Sequence, residues 1–346
     1  MPSTSPLVSI IILNWNGERH LPRCLEAVAA QTFSDYEVIV LDNASTDRSA
    51  EQIEKHWPAF RVIRFERNLG FAIANNRGAA LAAGEWLAFL NNDAFPEPGW
   101  LLSLVKASRE HPEFSFFSSR LVYAEQPDLI QSSGDVYNVS GFAWPRDNNR
   151  PTEKSPSGCG EVFSPCAAAA FYKRTAFLEA GGFDEEFSSH HEDVELGFRL
   201  RLLGHRCLYA PDAVAAHIGS ASYGRESDRT VYQVQRNVVR AFVTDMPGWL
   251  FWKYLPAHIL ANLIFLIYYS LRGQPGPVWR AKWHALLSIP SLNAKRKRIQ
   301  QTRRVSPAEI DRVLDHNWLG PFTLGKRARK IRQLLERAGK NDSQSR

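Results

Sequence analysis

Four short apolar runs near the start of the chain each end on a cluster of amides, hydroxyls and carboxylates, with helix-like stretches between them. Leu7 to Leu13 is near-continuously apolar and β-branched, the pattern of a strand buried on both faces. Residues about 18–30 place Leu21, Leu25 and Val28 at helical spacing. Glu37 to Leu41 reads as a second buried strand and Asp47 to Trp57 as a second helix. Arg61 to Phe65 is a third strand, an Ala-rich helix over about 70–83 stops at Gly84, and Glu85 to Leu90 is a fourth strand. Such alternation with short connections predicts an α/β fold, a mostly parallel sheet flanked by helices.

The polar clusters are Asn14-Trp15-Asn16, Asp42-Asn43-Ala44-Ser45, Asn68-Leu69-Gly70 and Asn91-Asn92-Asp93. They fall at the carboxyl ends of the four strands, the edge where open α/β sheets bind ligands. The Asp93 carboxylate is a hard oxygen donor of the kind Mg²⁺ or Mn²⁺ accepts while holding a diphosphate. Taken alone, each cluster is equally a polar turn closing a buried strand. No GxGxxG follows a strand, which disfavours a dinucleotide-binding domain.

Beyond the fourth strand the signal weakens. Residues about 120–160, with many Ser, Gly, Pro and Asn, read as loops and short strands. Ala167 to Tyr172 fits a buried strand, and Gly181-Gly182-Phe183-Asp184-Glu185 a turn. Ser189-His190-His191-Glu192 has the Ser-x-x-Glu form of a capping box ahead of a helix from Asp193 to Leu203 that stops at Gly204. That puts Asp193 in the first helical turn, where the helix dipole favours its ionised form. His191-Glu192 does not continue to HExxH, so a zinc protease is not indicated. The four cysteines form no CxxC pair and no signal peptide is expected ahead of them, so a reduced, cytoplasmic compartment is expected.

Charge is unevenly placed. Residues 272–346 hold 18 Lys/Arg against 5 Asp/Glu, a net of +13, while the whole chain is +6, leaving −7 on residues 1–271. Trp249 to Leu271 is the most apolar region, broken by Lys253, Pro256, His258 and Asn262. Its clean run, Leu263 to Leu271, is far shorter than the ~20 residues that span a bilayer. A helix lying in the membrane interface or packing on the rest of the chain is expected instead, with a true transmembrane span that tolerates isolated polar residues as the alternative. Lys295-Arg296-Lys297-Arg298 and Lys326-Arg327-Ala328-Arg329-Lys330 add a polybasic surface suited to anionic lipid. A recognisable nucleic-acid module is lacking, and no nucleic-acid partner is expected. Self-association, as a homo-oligomer, is the other use for such a face.

Taken together, these segments resemble the family 2 glycosyltransferases of the GT-A fold, most of all the bacterial rhamnosyltransferase-like branch. The resemblance rests on Val8 to Asn16, Leu41 to Asp47, Asn68 to Ala72, Leu90 to Asp93, Gly181 to Glu185, His191 to Leu196, and His217, in order over residues about 7–222. The usual Asp-x-Asp of this fold is Asn91-Asn92-Asp93 here, with one carboxylate replaced by an amide. The resemblance implies a GT-A catalytic domain over residues 1–235, with a nucleotide-sugar half (1–115) and an acceptor and catalytic-base half (116–235). A helical, amphipathic and basic extension over 236–346 would associate with membrane.

The same resemblance implies roles. Asp42 would meet the nucleotide base, Asn14 and Asn68 would line its pocket, and Asn16 and Asn92 would lie beside the donor. Asn91 would meet the ribose and Arg77 the diphosphate. Asp93 would hold Mg²⁺ or Mn²⁺, with His217 completing the metal shell. Asp193 would be the catalytic base, with Asp184, His191 and Glu192 on the acceptor side or in support. Structural readings stand beside these: an Asx-turn for Asp42, a solvated helix face for Arg77, a core histidine for His217, and a cap for Glu192. The implied activity is inverting transfer of a sugar from a nucleotide-diphosphate sugar, with dTDP-rhamnose the donor the branch suggests. The acceptor would be a lipid-linked or surface-polysaccharide glycan at the anionic inner face of the cytoplasmic membrane. The alternatives are a non-catalytic nucleotide- or glycan-binding protein on the same fold and a nucleotidyltransferase.

Overall fold

The computed structural model describes residues 5–219, 227–318 and 320–322. The first half alternates as expected: β1 (Val8–Asn14), α1 (Leu21–Ala29), β2 (Tyr36–Asp42), α2 (Ser49–His56), β3 (Arg61–Arg64), α3 (Phe71–Leu81) and β4 (Trp86–Asn91). There follow β5 (Ala94–Pro96), α4 (Trp100–Glu110), β6 (Phe116–Tyr123), β7 (Gln126–Ser132), β8 (Asp135–Tyr137), β9 (Ala143–Pro145), β10 (Gly160–Val162) and β11 (Ala169–Lys173). The chain continues through α5 (Arg174–Glu179), α6 (Glu192–Leu202), β12 (Cys207–His217), α7 (Asp228–Asp245), α8 (Gly248–Leu271), α9 (Pro275–Leu287), α10 (Ile289–Thr302) and α11 (Pro307–Val313).

The sheet runs β10-β12-β6-β11-β4-β1-β2-β3, with β5 on β12 and β7 on β6. β4, β1, β2 and β3 are mutually parallel, whereas β11 enters antiparallel between β4 and β6. In β1, Val8, Ile10 and Ile12 join the core on one face of the sheet and Ile11 the core on the other. That two-sided burial is why the sequence shows no alternation there. Helices α1 and α4 cover the first face through Leu21, Leu25, Leu101 and Leu104, while α3, α5 and α6 cover the second. Gly78 lets α3 lie close to the sheet: a Cβ there would come within 2.8 Å of Leu41 Cδ1 and 2.9 Å of Ile11 Cγ2.

The C-terminal helices pack against α6 and the β8–β9 hairpin through Tyr137, Phe163, Phe198, Phe242, Leu250 and Tyr254. Residue 235 lies inside α7, so one continuous helix crosses the boundary expected there. α8 docks through Leu250, Tyr254, Ala257 and Ala261, with polar hooks among them. His258 Nδ1 lies 2.7 Å from the Ser140 carbonyl, Asn262 Nδ2 is 3.2 Å from His258 Nε2, and Lys282 of α9 donates to Asn262 Oδ1 and to the Gln235 carbonyl. Burial holds Lys282 down to about 7 and keeps His258 neutral. Of the residues that interrupt the apolar run, His258 and Asn262 therefore face inward, while Lys253 and Pro256 are exposed and Lys253 pairs with Asp311. Trp252, Ile259, Leu260, Leu263, Ile267 and Leu271 face out, Trp252 at 71% exposure and Leu271 at 83%.

The expected basic cluster at 295–298 is only half presented to solvent. Lys295 pairs with Asp184 and lies 3.7 Å from Glu186, and Arg296 donates to the Val243 carbonyl. α10 lies along α7, which turns these two side chains inward and leaves Lys297 and Arg298 exposed. The second basic cluster, Lys326 to Lys330, lies outside the described residues.

Candidate active site

A cleft of about 590 Å³ opens along the carboxyl ends of β1 to β4. One wall carries Trp15, Asn43, Asn68, Asn91, Asn92 and Asp93. The lining is completed by Gln131 and Ser132 at the end of β7, Asp135 on β8, Trp144 on β9, and the segment Ser188 to Val194.

Asn14 organises the floor from just behind the cleft. Its Nδ2 lies 2.8 Å from Ser49 Oγ and 3.2 Å from Asp42 Oδ1, and its Oδ1 accepts from Asn92 Nδ2 at 3.0 Å. Gly17 lies against that amide pair, because a Cβ there would come within 2.1 Å of Asn14 Oδ1. Asn43 links the next two strand ends: its Nδ2 donates to Asn68 Oδ1 at 3.0 Å and its Oδ1 accepts the Leu69 N–H at 2.8 Å. The strand ends are thus joined by amides into one polar ledge.

Asp93 follows β4 and His217 ends β12, which pairs with β5 just past Asp93. His217 Nε2 lies 3.2 Å from Asp93 Oδ1, and His217 Nδ1 lies 2.5 Å from Gln131 Oε1. Burial raises the Asp93 carboxyl, but the hydrogen bond and charge of His217 outweigh it and hold the carboxyl below its ordinary range. Two electron-rich atoms this close need a proton or a cation between them. One carboxylate oxygen and one imidazole nitrogen suit Mg²⁺ poorly by count alone but suit an ion that takes its remaining ligands from a diphosphate and water. Among the described residues no group of three or more His, Cys, Asp or Glu is placed to hold a metal.

The expected capping box does not form. Ser188, His190 and His191 all sit at positive φ, and His191 is the N-cap of α6 with no side-chain cap hydrogen bond. The turned backbone sends the Ser189 hydroxyl to Gln233 Oε1 on α7 at 2.6 Å, while Asn237 Nδ2 donates to the His190 carbonyl at 2.7 Å. Left-handed backbone at non-glycine residues is costly and persists only where surrounding contacts hold it. Glu192 is thereby released from the capping role: it is buried, and its Oε2 lacks a hydrogen-bond partner. Burial and the neighbouring Asp193 charge push Glu192 up to about 8.

Asp193 Oδ2 accepts the Ala167 N–H at 3.0 Å and Oδ1 accepts the Val194 N–H at 2.8 Å. Burial raises its pKa in spite of these bonds. Asp135, whose Oδ2 accepts from Ser164 Oγ at 3.3 Å, is raised further by burial and by the Asp193 charge. Burial holds His191 down at about 4, so its ring is neutral near pH 7.

Of the residues expected from sequence, Asn68, Asn91, Asn92, Asp93, His191, Glu192, Asp193 and His217 line the one cleft. Asn14 and Asp42 lie behind it, joined to it through Asn92. Asn16 braces the loop after β2, accepting the Thr46 N–H at 2.8 Å. Arg77 lies away from the cleft lining, on the exposed side of α3, with its guanidinium 5.5 Å from the Phe65 ring centroid. Asp184 also lies away from that lining, paired with Lys295 and accepting the Glu186 N–H. Sequence reading did not single out Asn43, Gln131, Asp135 or Trp144. Asn43 adjoins Asp42 in the same motif, whereas the other three come from the aperiodic 120–160 segment.

Residues 9–180 match the family model described as Glycosyl transferase family 2. The chain belongs to that family. This family 2 glycosyltransferase is 28% identical over 246 residues to N-acetylglucosaminyl-diphospho-decaprenol L-rhamnosyltransferase of Mycobacterium tuberculosis, covering 64% of this chain and 78% of that protein. It is 30% identical over 233 residues to the O-antigen biosynthesis protein RfbC of Myxococcus xanthus, covering 63% of this chain but 18% of that protein. Among solved structures, TarS 1–349 of S. aureus in complex with UDP-GlcNAc matches with a TM-score of 0.57 at 19% identity, covering 88% of this chain and 89% of that one. GalNAc-T7 with UDP, GalNAc and Mn²⁺ matches with a TM-score of 0.58 at 17% identity, covering 74% of this chain and 50% of that one. These likenesses establish the fold of the glycosyltransferase as GT-A, a mostly parallel sheet flanked by helices with a helical C-terminal region.

Proposed function

We propose that this glycosyltransferase moves a sugar, with inversion, from a nucleotide-diphosphate sugar to a hydroxyl of a lipid-linked glycan. The relative that acts on a decaprenol-linked substrate and transfers L-rhamnose supports that acceptor class and makes dTDP-rhamnose the first donor to try. The observation that carries the reading is one cleft lined by both the Asp93–His217 pair and Asp193.

Asp93 and His217 would hold Mg²⁺ or Mn²⁺, and when bound the ion neutralises charge on the departing diphosphate. The amide ledge of Asn43, Asn68 and Asn91 offers donors and acceptors to the nucleoside. Asp193 takes the proton of the acceptor hydroxyl as that oxygen attacks the anomeric carbon. Glu192, protonated at neutral pH, donates a hydrogen bond to a sugar hydroxyl nearby. With one base and no side chain acting as nucleophile, the displacement is single and the anomeric centre inverts.

The test is a panel of nucleotide sugars with Mn²⁺ and a sugar linked to polyprenyl diphosphate as acceptor. Release of nucleoside diphosphate with sugar transfer is expected. Release of inorganic diphosphate would point to a nucleotidyltransferase, and binding without turnover to a non-catalytic protein.

The glycosyltransferase also docks on the inner face of the cytoplasmic membrane in this reading. Support comes from α8, which packs inward through Leu250, Tyr254, Ala257, His258 and Ala261 and still leaves Trp252, Ile259, Leu260, Leu263, Ile267 and Leu271 exposed, an apolar outer face unlike that of a soluble surface helix. Trp279, Trp283, Leu286 and Leu287 of α9 extend that exposed apolar face, and Lys297 and Arg298 add positive charge. We expect co-flotation with phosphatidylglycerol vesicles at low salt, and its loss in the double variant Trp252→Glu/Leu263→Glu with an unchanged melting temperature. Absence of wild-type flotation, or a dimer that buries the face instead, would overturn membrane docking.

A further inference from the structure

Gln131 makes two contacts with a single residue. Its Oε1 lies 2.5 Å from His217 Nδ1, and its Nε2 donates to the His217 carbonyl at 3.4 Å. The second contact sets which way the amide faces, since only the nitrogen can donate to that carbonyl. The oxygen is therefore left for the ring, and an amide oxygen only accepts, so Nδ1 must carry the proton. His217 Nε2, facing Asp93 Oδ1 at 3.2 Å, is then the nitrogen left to ligate a cation. Gln131 is itself buried, and its own carbonyl accepts from Asn148 Nδ2 at 2.7 Å, while the same nitrogen donates to Tyr123 Oη at 2.9 Å.

We propose that Gln131 is a positioning residue: it presets the tautomer and ring orientation of His217 so that Nε2 binds a divalent cation together with Asp93. The Asn91-Asn92-Asp93 triplet carries a single carboxylate, so the imidazole bears a larger share of the site. Groups that orient a ligating histidine typically change metal affinity ~10–100-fold when removed. The inference rests on the metal reading above. It differs in placing part of the metal site on an acceptor-wall residue 86 positions before the histidine.

The experiment titrates Mn²⁺ into the full chain with dTDP or UDP present and follows free Mn²⁺ by electron paramagnetic resonance. Wild type is expected to bind. Gln131→Leu is expected to weaken binding ~10–100-fold, and Gln131→Glu, which still accepts from Nδ1, to bind at least as tightly as wild type. A wild type that takes up no Mn²⁺ removes the metal reading and this inference with it. Wild-type binding matched by Gln131→Leu leaves the metal reading standing and overturns only the role of Gln131. Should the Leu variant fail to fold, long-range ¹H–¹⁵N correlation of His217 in the Mg²⁺-loaded wild type decides. The Nδ1–H tautomer is expected, and an Nε2–H tautomer overturns the proposal.

Discussion

Asp193→Asn is expected to slow sugar transfer ~10²–10⁴-fold, the range of general-base catalysis, while nucleotide-sugar binding is kept. The substitution is nearly isosteric. The amide oxygen can still accept one of the two backbone N–H groups, from Ala167 or Val194, that the carboxylate now receives. The other is left facing an NH₂, which costs ~0.5–1.5 kcal/mol of stability as a lost hydrogen bond. A melting measurement alongside turnover separates that cost from the loss of the base. Asp193 acts only when ionised, and burial raises its pKa. Activity in the wild type should therefore climb with pH through that raised value, and the kcat/KM profile should lose this acid limb in Asp193→Asn. Normal turnover in the variant would remove Asp193 from the mechanism.

Asp93→Ala is expected to abolish metal-dependent donor binding. The variant removes the one carboxylate of the triplet and leaves His217 Nε2 with no acidic partner in the cleft. Binding of the nucleotide sugar measured by calorimetry should fall on adding chelator to the wild type. In Asp93→Ala it should be weak with or without chelator. Equal wild-type affinity in Mn²⁺ and in chelator would refute the metal assignment. His217→Gln should fall between the two, because it keeps the carboxylate and loses only the nitrogen ligand.

The donor half was legible because its constraints are local. A strand buried on both faces must be apolar throughout, as Ile10, Ile11 and Ile12 are, and its polar exit follows directly in the chain. Asn68 and the Asn91-Asn92-Asp93 triplet were therefore visible as one edge before the sheet order was known. The start of α6 was misread for the opposite reason. Ser189-His190-His191-Glu192 carries the letters of a cap, but three left-handed residues, held from α7 by Gln233 and Asn237, redirect the serine. Those partners lie more than forty residues away, and the segment itself gives no sign of them. Gln131 and Trp144 were hidden likewise, since the place of β7 and of the three-residue β9 at the cleft comes from pairing, not periodicity. Arg77 was drawn by its charge toward a diphosphate, and the turn of α3 carries it to the Phe65 side. The polar breaks in α8 looked like defects in a membrane segment. Two of them, His258 and Asn262, face inward and are hooked to Ser140 and Lys282, while Lys253 stays exposed and pairs with Asp311.

In the proposed mechanism Asp193 drives a single displacement in the cleft that Asp93 and His217 also line. Its most direct test is the anomeric configuration of the transferred sugar, read by NMR on the isolated product and compared with the donor. Inversion is expected, lost together with turnover in Asp193→Asn. A product that retains the donor's configuration would contradict it.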